Sequence, residues 1–284
     1  MGQAMNLVDT HNHVTPWSPD ATQTYEQLME ETARRGLHGV AICDHYDPNS
    51  KTDDESAWKF DPQAYMDAFY SKRRMPSKRK PGDPPGFLLG IELDWIPEKK
   101  QILHQVFNDH PFDLGIISMH FLRGHDPYYV PEAIYTDKLE TIYNEVINDI
   151  ADSAEEMSEV QIIGHFDYFS RYAPDADSKM RYQHAPQAFD RLFKIMIKNG
   201  QALEINVGTI HSLMKRRGYS TNEAMPDHVI LNRYRELGGR YFSICSDAHH
   251  VERNGLHMAE ALAYLKGLGI TEFVWFEERE LRLP

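Results

Sequence analysis

Seven short apolar runs, each followed by a longer amphipathic stretch, constrain this chain more than any other feature. The runs span residues 6–10, 38–43, 86–92, 112–118, 160–164, 201–206 and 240–246. Between them, apolar residues recur at helical spacing over 22–35, 62–72, 99–109, 137–157, 186–199, 226–237 and 256–266. Strands alternating with helices argue for βαβ units and a parallel sheet. Seven repeats in 284 residues fit an α/β barrel, with an open doubly wound sheet as the alternative. Glycines close three of the helical stretches: Gly36 after Arg34-Arg35, Gly200 after Lys198-Asn199, and the pair Gly238-Gly239. No linker composition interrupts the alternation, so residues 1–284 read as a single domain.

The ends of these strands carry an unusual load. The first ends in "VDTHNHV", where His11 and His13 lie two residues apart and would project to one side of a strand. The second ends in Asp44-His45 and the third in Glu92, Leu93 and Asp94. His120 follows the fourth, and His165, Asp167 and Arg171 follow the fifth. Glu204, Asn206 and His211 close the sixth; Asp247, His249 and His250 close the seventh. In a parallel barrel all strand C-termini open on one face, where the chemistry sits. Imidazole and carboxylate donors suit zinc, manganese or iron. They exceed what one tetrahedral ion needs, so two or three ions are expected.

Composition bounds the rest. A net charge of −13 is a poor match to nucleic acid, whose phosphates it would repel. It excludes less about a phosphate ester in a small pocket, where metal ions reverse the local sign. Cys43 and Cys245 each end an apolar run and read as buried reduced thiols. No apolar stretch reaches membrane-spanning length, and residues 1–10 lack the features of a secretory leader, so a cytoplasmic protein is expected. Residues 71–86, "SKRRMPSKRKPGDPPG", form a basic, Pro/Gly-rich segment that reads either as a solvated loop or as a flap drawing in an anionic substrate.

The order HxH, DH, Glu, His, GH and SDAH resembles the PHP (polymerase and histidinol phosphatase) superfamily. The blocks "GIELDWIP", "SMHF", "IIGHFDYFSRY", "LEIN" and "SDAHHVERNG" resemble those of its monofunctional histidinol-phosphate phosphatases over nearly the whole chain. The resemblance implies an α/β fold of PHP type, a distorted (β/α)7 TIM-like barrel, with a trinuclear metal centre and hydrolysis of L-histidinol phosphate in histidine biosynthesis by in-line attack of metal-bound hydroxide. It places His11, His13, Glu92 and Asp247 on a first ion, with Glu92 bridging. His45 and His249 match ligands of a second ion, and His120 and His165, with Glu92, ligands of a third. Where that family carries a histidine after a Cys-Pro pair, this chain reads "WSPDA". Asp20 would serve as the ligand there, or else cap the following helix. Asp94 and Asp167 are expected to orient ligand imidazoles rather than bind metal. Arg171, Asp247 and His249 are the expected catalytic residues, with Arg171 clamping the phosphate. Arg171, Glu204, Asn206 and His211 are the expected substrate contacts. The loop after the sixth strand, "NVGTIHSLMKRRG", departs from the family pattern.

Several alternatives keep the metal site and change the chemistry. One is a phosphoesterase of the same superfamily acting on another small ester or a nucleotide. A barrel amidohydrolase also begins with HxH, but it would use a bridging lysine, and no lysine stands at these strand ends. A non-catalytic metal-binding regulator would not need so full a donor set. The expected partner is a small phosphate ester, with no nucleic acid and no membrane, in a monomer or small homo-oligomer.

Overall fold

The computed structural model describes residues 5–48 and 58–284. Residues 1–4, part of the stretch read for a leader, fall outside them. The strands are β1 (Met5–Asp9), β2 (Leu37–Ile42), β3 (His45–Tyr46), β4 (Gly86–Asp94), β5 (Leu114–Ser118), β6 (Ile162–Ile163), β7 (Ala202–Asn206), β8 (Phe242–Cys245), β9 (Trp275–Glu277) and β10 (Glu280–Arg282). The helices are α1 (Tyr25–Arg35), α2 (Pro62–Phe69), α3 (Lys100–Asp109), α4 (Pro131–Ile134), α5 (Leu139–Glu156), α6 (Pro186–Asn199), α7 (Val207–Arg217), α8 (Thr221–Ala224), α9 (His228–Glu236) and α10 (Met258–Gly267).

The main sheet runs β1-β2-β4-β5-β6-β7-β8, all parallel, with β3 continuing the line of β2 along β4. It curls until its edges meet. Thr10 donates its backbone N–H to Ile244 O at 3.3 Å, Asp247 N–H to His11 O at 2.9 Å, and His13 N–H to Ala248 O at 3.0 Å. The Asp9 carboxylate accepts from the Ser246 N–H at 2.9 Å and from its hydroxyl. These bonds join the first and last strands, so the sheet is a nearly closed barrel and not an open doubly wound one. Burial pushes the Asp9 carboxyl up to about 6 even though both Ser246 donors favour its charged form.

Each expected strand forms, because its outward residues pack under helices while its inward ones fill the barrel. The inward row on β4 is Leu88, Gly90, Glu92; alongside it run Ala41, Cys43, His45 and Ala202, Glu204, Asn206. The lower members, with Val8, Leu114, Ile116 and Ile162, form an apolar core inside the barrel. Phe87, Leu89, Ile42 and Leu203 point the other way, into the larger core beneath the helices. Gly90 is needed where the barrel narrows, since a Cβ there would come within 2.5 Å of Cys43 Sγ.

Helix ends follow local chemistry. Thr24 caps α1 by accepting from the Gln27 N–H, and Gly36 ends it in the left-handed region at φ 72°. Pro186 opens α6 and Gly200 closes it. Helix α7 was not expected: the stretch after β7 reads as an irregular loop in sequence. It folds because Asn206 accepts from the Thr209 N–H at 3.2 Å, while Val207, Ile210 and Leu213 are buried.

The basic segment 71–86 is not a flap over the site. Arg73 pairs with Asp113, Arg74 bridges to Phe87, and the Ser77 N–H donates to Glu277 at 2.7 Å. Phe87 and Asp113 stand at the N-terminal ends of β4 and β5, and Glu277 ends β9, away from the C-terminal mouth of the barrel. Strands β9 and β10 form an antiparallel hairpin, and Trp275 and Phe276 join the inner core. Trp275 is buried and donates its indole N–H to Glu277 at 3.0 Å. Trp275→Ala should lower the unfolding free energy by about 3–5 kcal/mol, as loss of a large buried ring does. Urea titration would show this, with metal content retained because the site lies at the other end of the barrel.

Candidate metal centre and cavity

Glu92 is the hub of the upper barrel. Its Oε1 lies 3.0 Å from His165 Nε2 and 3.6 Å from His120 Nε2. Its Oε2 lies 2.5 Å from His45 Nδ1, 3.4 Å from His11 Nε2 and 3.7 Å from His13 Nε2. The lower strands make this geometry. Register sets His45 directly beside Glu92 on β3 and β4, and the other rings arrive from strand ends around the mouth. Asp247 and Asp20 complete the ring. Asp247 Oδ1 lies 3.2 Å from His13 Nε2, and Asp20 Oδ2 lies 3.2 Å from His249 Nε2. Asp20 Oδ1 is 3.7 Å from His45 Nε2. Asp20 is not the helix cap, since Thr24 has that role.

Asp247 takes a left-handed backbone at φ 51°, uncommon for a residue with a side chain. The bond from its N–H to His11 O holds it there and turns the carboxylate toward the mouth. Gly208 permits α7 to start against this turn: a Cβ on it would meet Ser246 O at 3.1 Å and Asp247 Cβ at 3.4 Å.

The donors are chemically fitted to divalent cations. His11 Nε2, His13 Nε2 and Glu92 Oε2 are buried and face one another, and despite their close neighbours none makes a well-aligned hydrogen bond among the described residues. Left to themselves, buried polar atoms find partners, and a convergent set that does not is arranged for something else. Donor atoms of His11, His13 and Glu92 lie within 4.8 Å of one another, as do those of His13, His45 and His249 and those of His45, Glu92 and His120. Burial alone would favour the acid form of Glu92, but His11, His45 and His120 outweigh it and hold the carboxyl well below its ordinary value. Burial, then His45 and His249, push the His13 ring well below its ordinary value, so its nitrogen keeps a lone pair. A further cluster of His11, Glu204 and Cys245 is not a separate site. Burial raises the Cys245 thiol, which keeps it protonated, and His11 already shares a hydrogen bond with Glu204.

A second layer orients these rings. Glu204 Oε2 lies 3.0 Å from His11 Nδ1, and its Oε1 accepts from the His165 N–H at 2.9 Å. Asp94 Oδ1 lies 3.3 Å from His120 Nδ1, the expected orienting role. Ser18 Oγ lies 3.1 Å from His13 Nδ1 and donates to Asp44 at 2.7 Å, a pairing that sequence reading missed because Ser18 is an ordinary loop residue. Asp167 does not orient an imbedded ring as expected; its carboxyl faces Thr209 and the charge of Arg171.

The mouth opens into a cavity of about 710 Å³. Arg171 lines it, donating from Nε to Thr209 Oγ1 at 2.9 Å and from Nη2 to Asp247 Oδ2 at 3.1 Å. Glu204 and Asn206, expected at the substrate, do not line it. Glu204 is buried behind His11, and Asn206 donates to Glu204 at 3.0 Å and to Asp247 at 3.1 Å while its oxygen caps α7. His211 does line it, from α7, with Nδ1 at 3.2 Å from His257 Nε2. Burial, then Arg253, His257 and Lys215, bring its ring down to about 4, so it is neutral near pH 7. Lys215, Arg216 and Arg253 stand on the same wall, without a carboxylate partner among the described residues.

A parallel barrel whose C-terminal mouth gathers histidines and carboxylates around one central glutamate has the architecture of a barrel metallohydrolase. The model of the PHP domain matches residues 9–208. A probable histidinol-phosphatase of Clostridium acetobutylicum is 26% identical over 277 residues, covering 97% of this chain and 99% of the relative. A histidinol-phosphatase of Lactococcus lactis is 23% identical, covering 96% and 95%. The crystal structure of histidinol phosphate phosphatase from L. lactis, complexed with zinc, L-histidinol and phosphate, superposes with a TM-score of 0.81 at 20% identity, over 98% and 99% of the chains. The chain belongs to the PHP domain family and is a hydrolase of that family.

Because Glu92 belongs to two of the donor clusters, Glu92→Ala should cost more than one equivalent of metal per chain by elemental analysis. Full wild-type content in that variant would remove Glu92 from the bridging role. Glu204→Ala should keep the fold but weaken metal affinity by roughly 10- to 100-fold, as loss of a partner that orients a ligand does, measured by competition with a chelating dye.

Proposed function

We infer that this chain is a metal-dependent phosphomonoesterase whose substrate is L-histidinol phosphate, cleaved to L-histidinol and phosphate. The observation that carries the reading is the position of Arg171, which sits on the cavity wall and is bonded to Asp247 of the donor ring. Neighbouring Asp247 outweighs burial and keeps the guanidinium fully charged. Its fork suits a phosphoryl group. The full-length relatives named for histidinol phosphate support the particular substrate. Another small phosphate ester or a nucleotide is the nearest competing substrate.

His11, His13, Asp20, His45, Glu92, His120, His165, Asp247 and His249 would hold the ions, three on the family resemblance, with zinc, manganese and iron all suited to the donors. Bound there, they would supply positive charge to the phosphoryl oxygens and a water acidified toward neutral pH. The chain's own residues do the rest. Arg171, Asp247 and His249 are the proposed catalytic groups, because each both lines the cavity and adjoins the donor ring. The Thr209 hydroxyl fixes the Arg171 fork from behind. Lys215, Arg216 and Arg253 give an acidic protein one positive approach for a dianionic ester. Lys215 stands on α7 and not among the donors, so the bridging lysine of a barrel amidohydrolase has no counterpart among the described residues.

We propose that residues 1–284 act as one unit, since Asp247 and His249 lie beyond the stretch the family model matches. No helix among the described residues is long and apolar enough to cross a membrane. A cytoplasmic monomer or small homo-oligomer, with no nucleic-acid partner, is the proposed setting.

The test is phosphate release from histidinol phosphate, AMP, sugar phosphates and p-nitrophenyl phosphate after loading with each metal. Histidinol phosphate should be fastest; if it is no faster than p-nitrophenyl phosphate, the substrate falls and the phosphatase reading stands. Arg171→Ala should lower kcat/KM roughly 10- to 100-fold on every ester, since a charge-assisted bond is worth about 1.5–3 kcal/mol, with metal content unchanged.

A further inference from the structure

One part of the cavity lining differs from the basic part, and the mechanism above leaves it without a task. Asp126 lines it and is only 8% exposed. One oxygen, Oδ1, accepts from the Tyr168 hydroxyl at 3.0 Å and from the Tyr128 N–H at 2.8 Å. The other, Oδ2, has no hydrogen bond among the described residues. Asp126 meets the donor imidazole His120 only through its charge, since the direct partner of that ring is Asp94. Beside this carboxylate stand Tyr128 and Tyr129, exposed by 56% and 53%, which line the same cavity. The Tyr128 ring is held edge-on to Tyr129 at 4.9 Å and to Tyr172 at 5.9 Å. Arg216 and Arg171 already stack on Tyr172 and Tyr168, at 4.8 and 5.1 Å. The Tyr128 and Tyr129 faces carry no such cation among the described residues. A buried carboxylate with a free oxygen, flanked by open aromatic faces, is the chemistry that recognises an alkylammonium group.

We propose that Asp126, with the ring of Tyr128, binds an ammonium group on the leaving alcohol and so selects amino-alkyl phosphates over uncharged ones. This rests on the phosphomonoesterase reading and names the leaving-group class for it. The two ends of the substrate then meet opposite charges: Arg171 at the phosphate, Asp126 at the amine.

The experiment uses the metal-loaded full chain and a pair of esters differing only in the amine, 2-aminoethyl phosphate and ethyl phosphate. In the wild type kcat/KM should favour the amine by roughly tenfold or more. Asp126→Asn keeps an oxygen for Tyr168 and the Tyr128 N–H but removes the charge, and should bring that ratio close to one. Tyr128→Ala, at an exposed position where folding is not at stake, should reduce the ratio severalfold. A wild-type ratio near one, or a ratio unmoved in Asp126→Asn, overturns the proposal. So does a preference for an ester with a second anionic group, which would give selection to the Lys215 and Arg253 wall. Failure of every ester with every metal, p-nitrophenyl phosphate included, would instead sink the phosphomonoesterase reading.

Discussion

The structure depends on one buried carboxylate. Glu92 sits at the centre of the barrel's upper layer, with ring nitrogens of His11, His13, His45, His120 and His165 within 3.7 Å of its oxygens. Burying a charge in a protein interior is costly unless opposite charge or directed donors meet it. Here the cost is met by imidazoles that leave some of their own nitrogens unpartnered. Divalent cations would complete such an arrangement, so the same feature bears on both the fold and the site.

The barrel below exists to hold that layer still. On β4 the inward row passes from Leu88 through Gly90 to Glu92, from apolar floor to polar mouth in two steps of the pleat. The bare Gly90 keeps the middle narrow, since Cys43 Sγ fills the space a side chain would use. The C-terminal hairpin closes the opposite end with Trp275 and Phe276. Side chains anchored on paired strands over a packed core are held more tightly than side chains on loops, as a site with many convergent donors requires.

The cavity above is mixed in charge. Its lining carries Arg171, Lys215, Arg216 and Arg253 together with Asp126, Tyr128 and Tyr129, and the guanidiniums of Arg171 and Arg216 lie over the rings of Tyr168 and Tyr172 between these groups. The net charge of the chain is −13, so the basic residues here are a local exception to its field.

Much of this was legible in the sequence, for reasons of range. Strand existence follows from short apolar runs, and the HxH pair follows from the two-residue period of a strand; both are decided within a few residues. The donors at strand ends could be enumerated because a parallel barrel puts all those ends on one face. What the sequence could not decide were pairings across the barrel. Glu204 looks like a substrate contact until closure brings it to His11, 193 residues away, and Asn206 is consumed by Glu204, Asp247 and the α7 cap. Helix α7 is marked in sequence by nothing stronger than one asparagine, and it forms because Val207, Ile210 and Leu213 find a buried face. The basic segment 71–86 carries the charge of a substrate flap but belongs to the barrel floor, where Asp113 and Glu277 wait for it. Local periodicity determined which elements form and which donors they carry; only closure of the barrel decided which donor meets which, because those contacts join residues far apart along the chain.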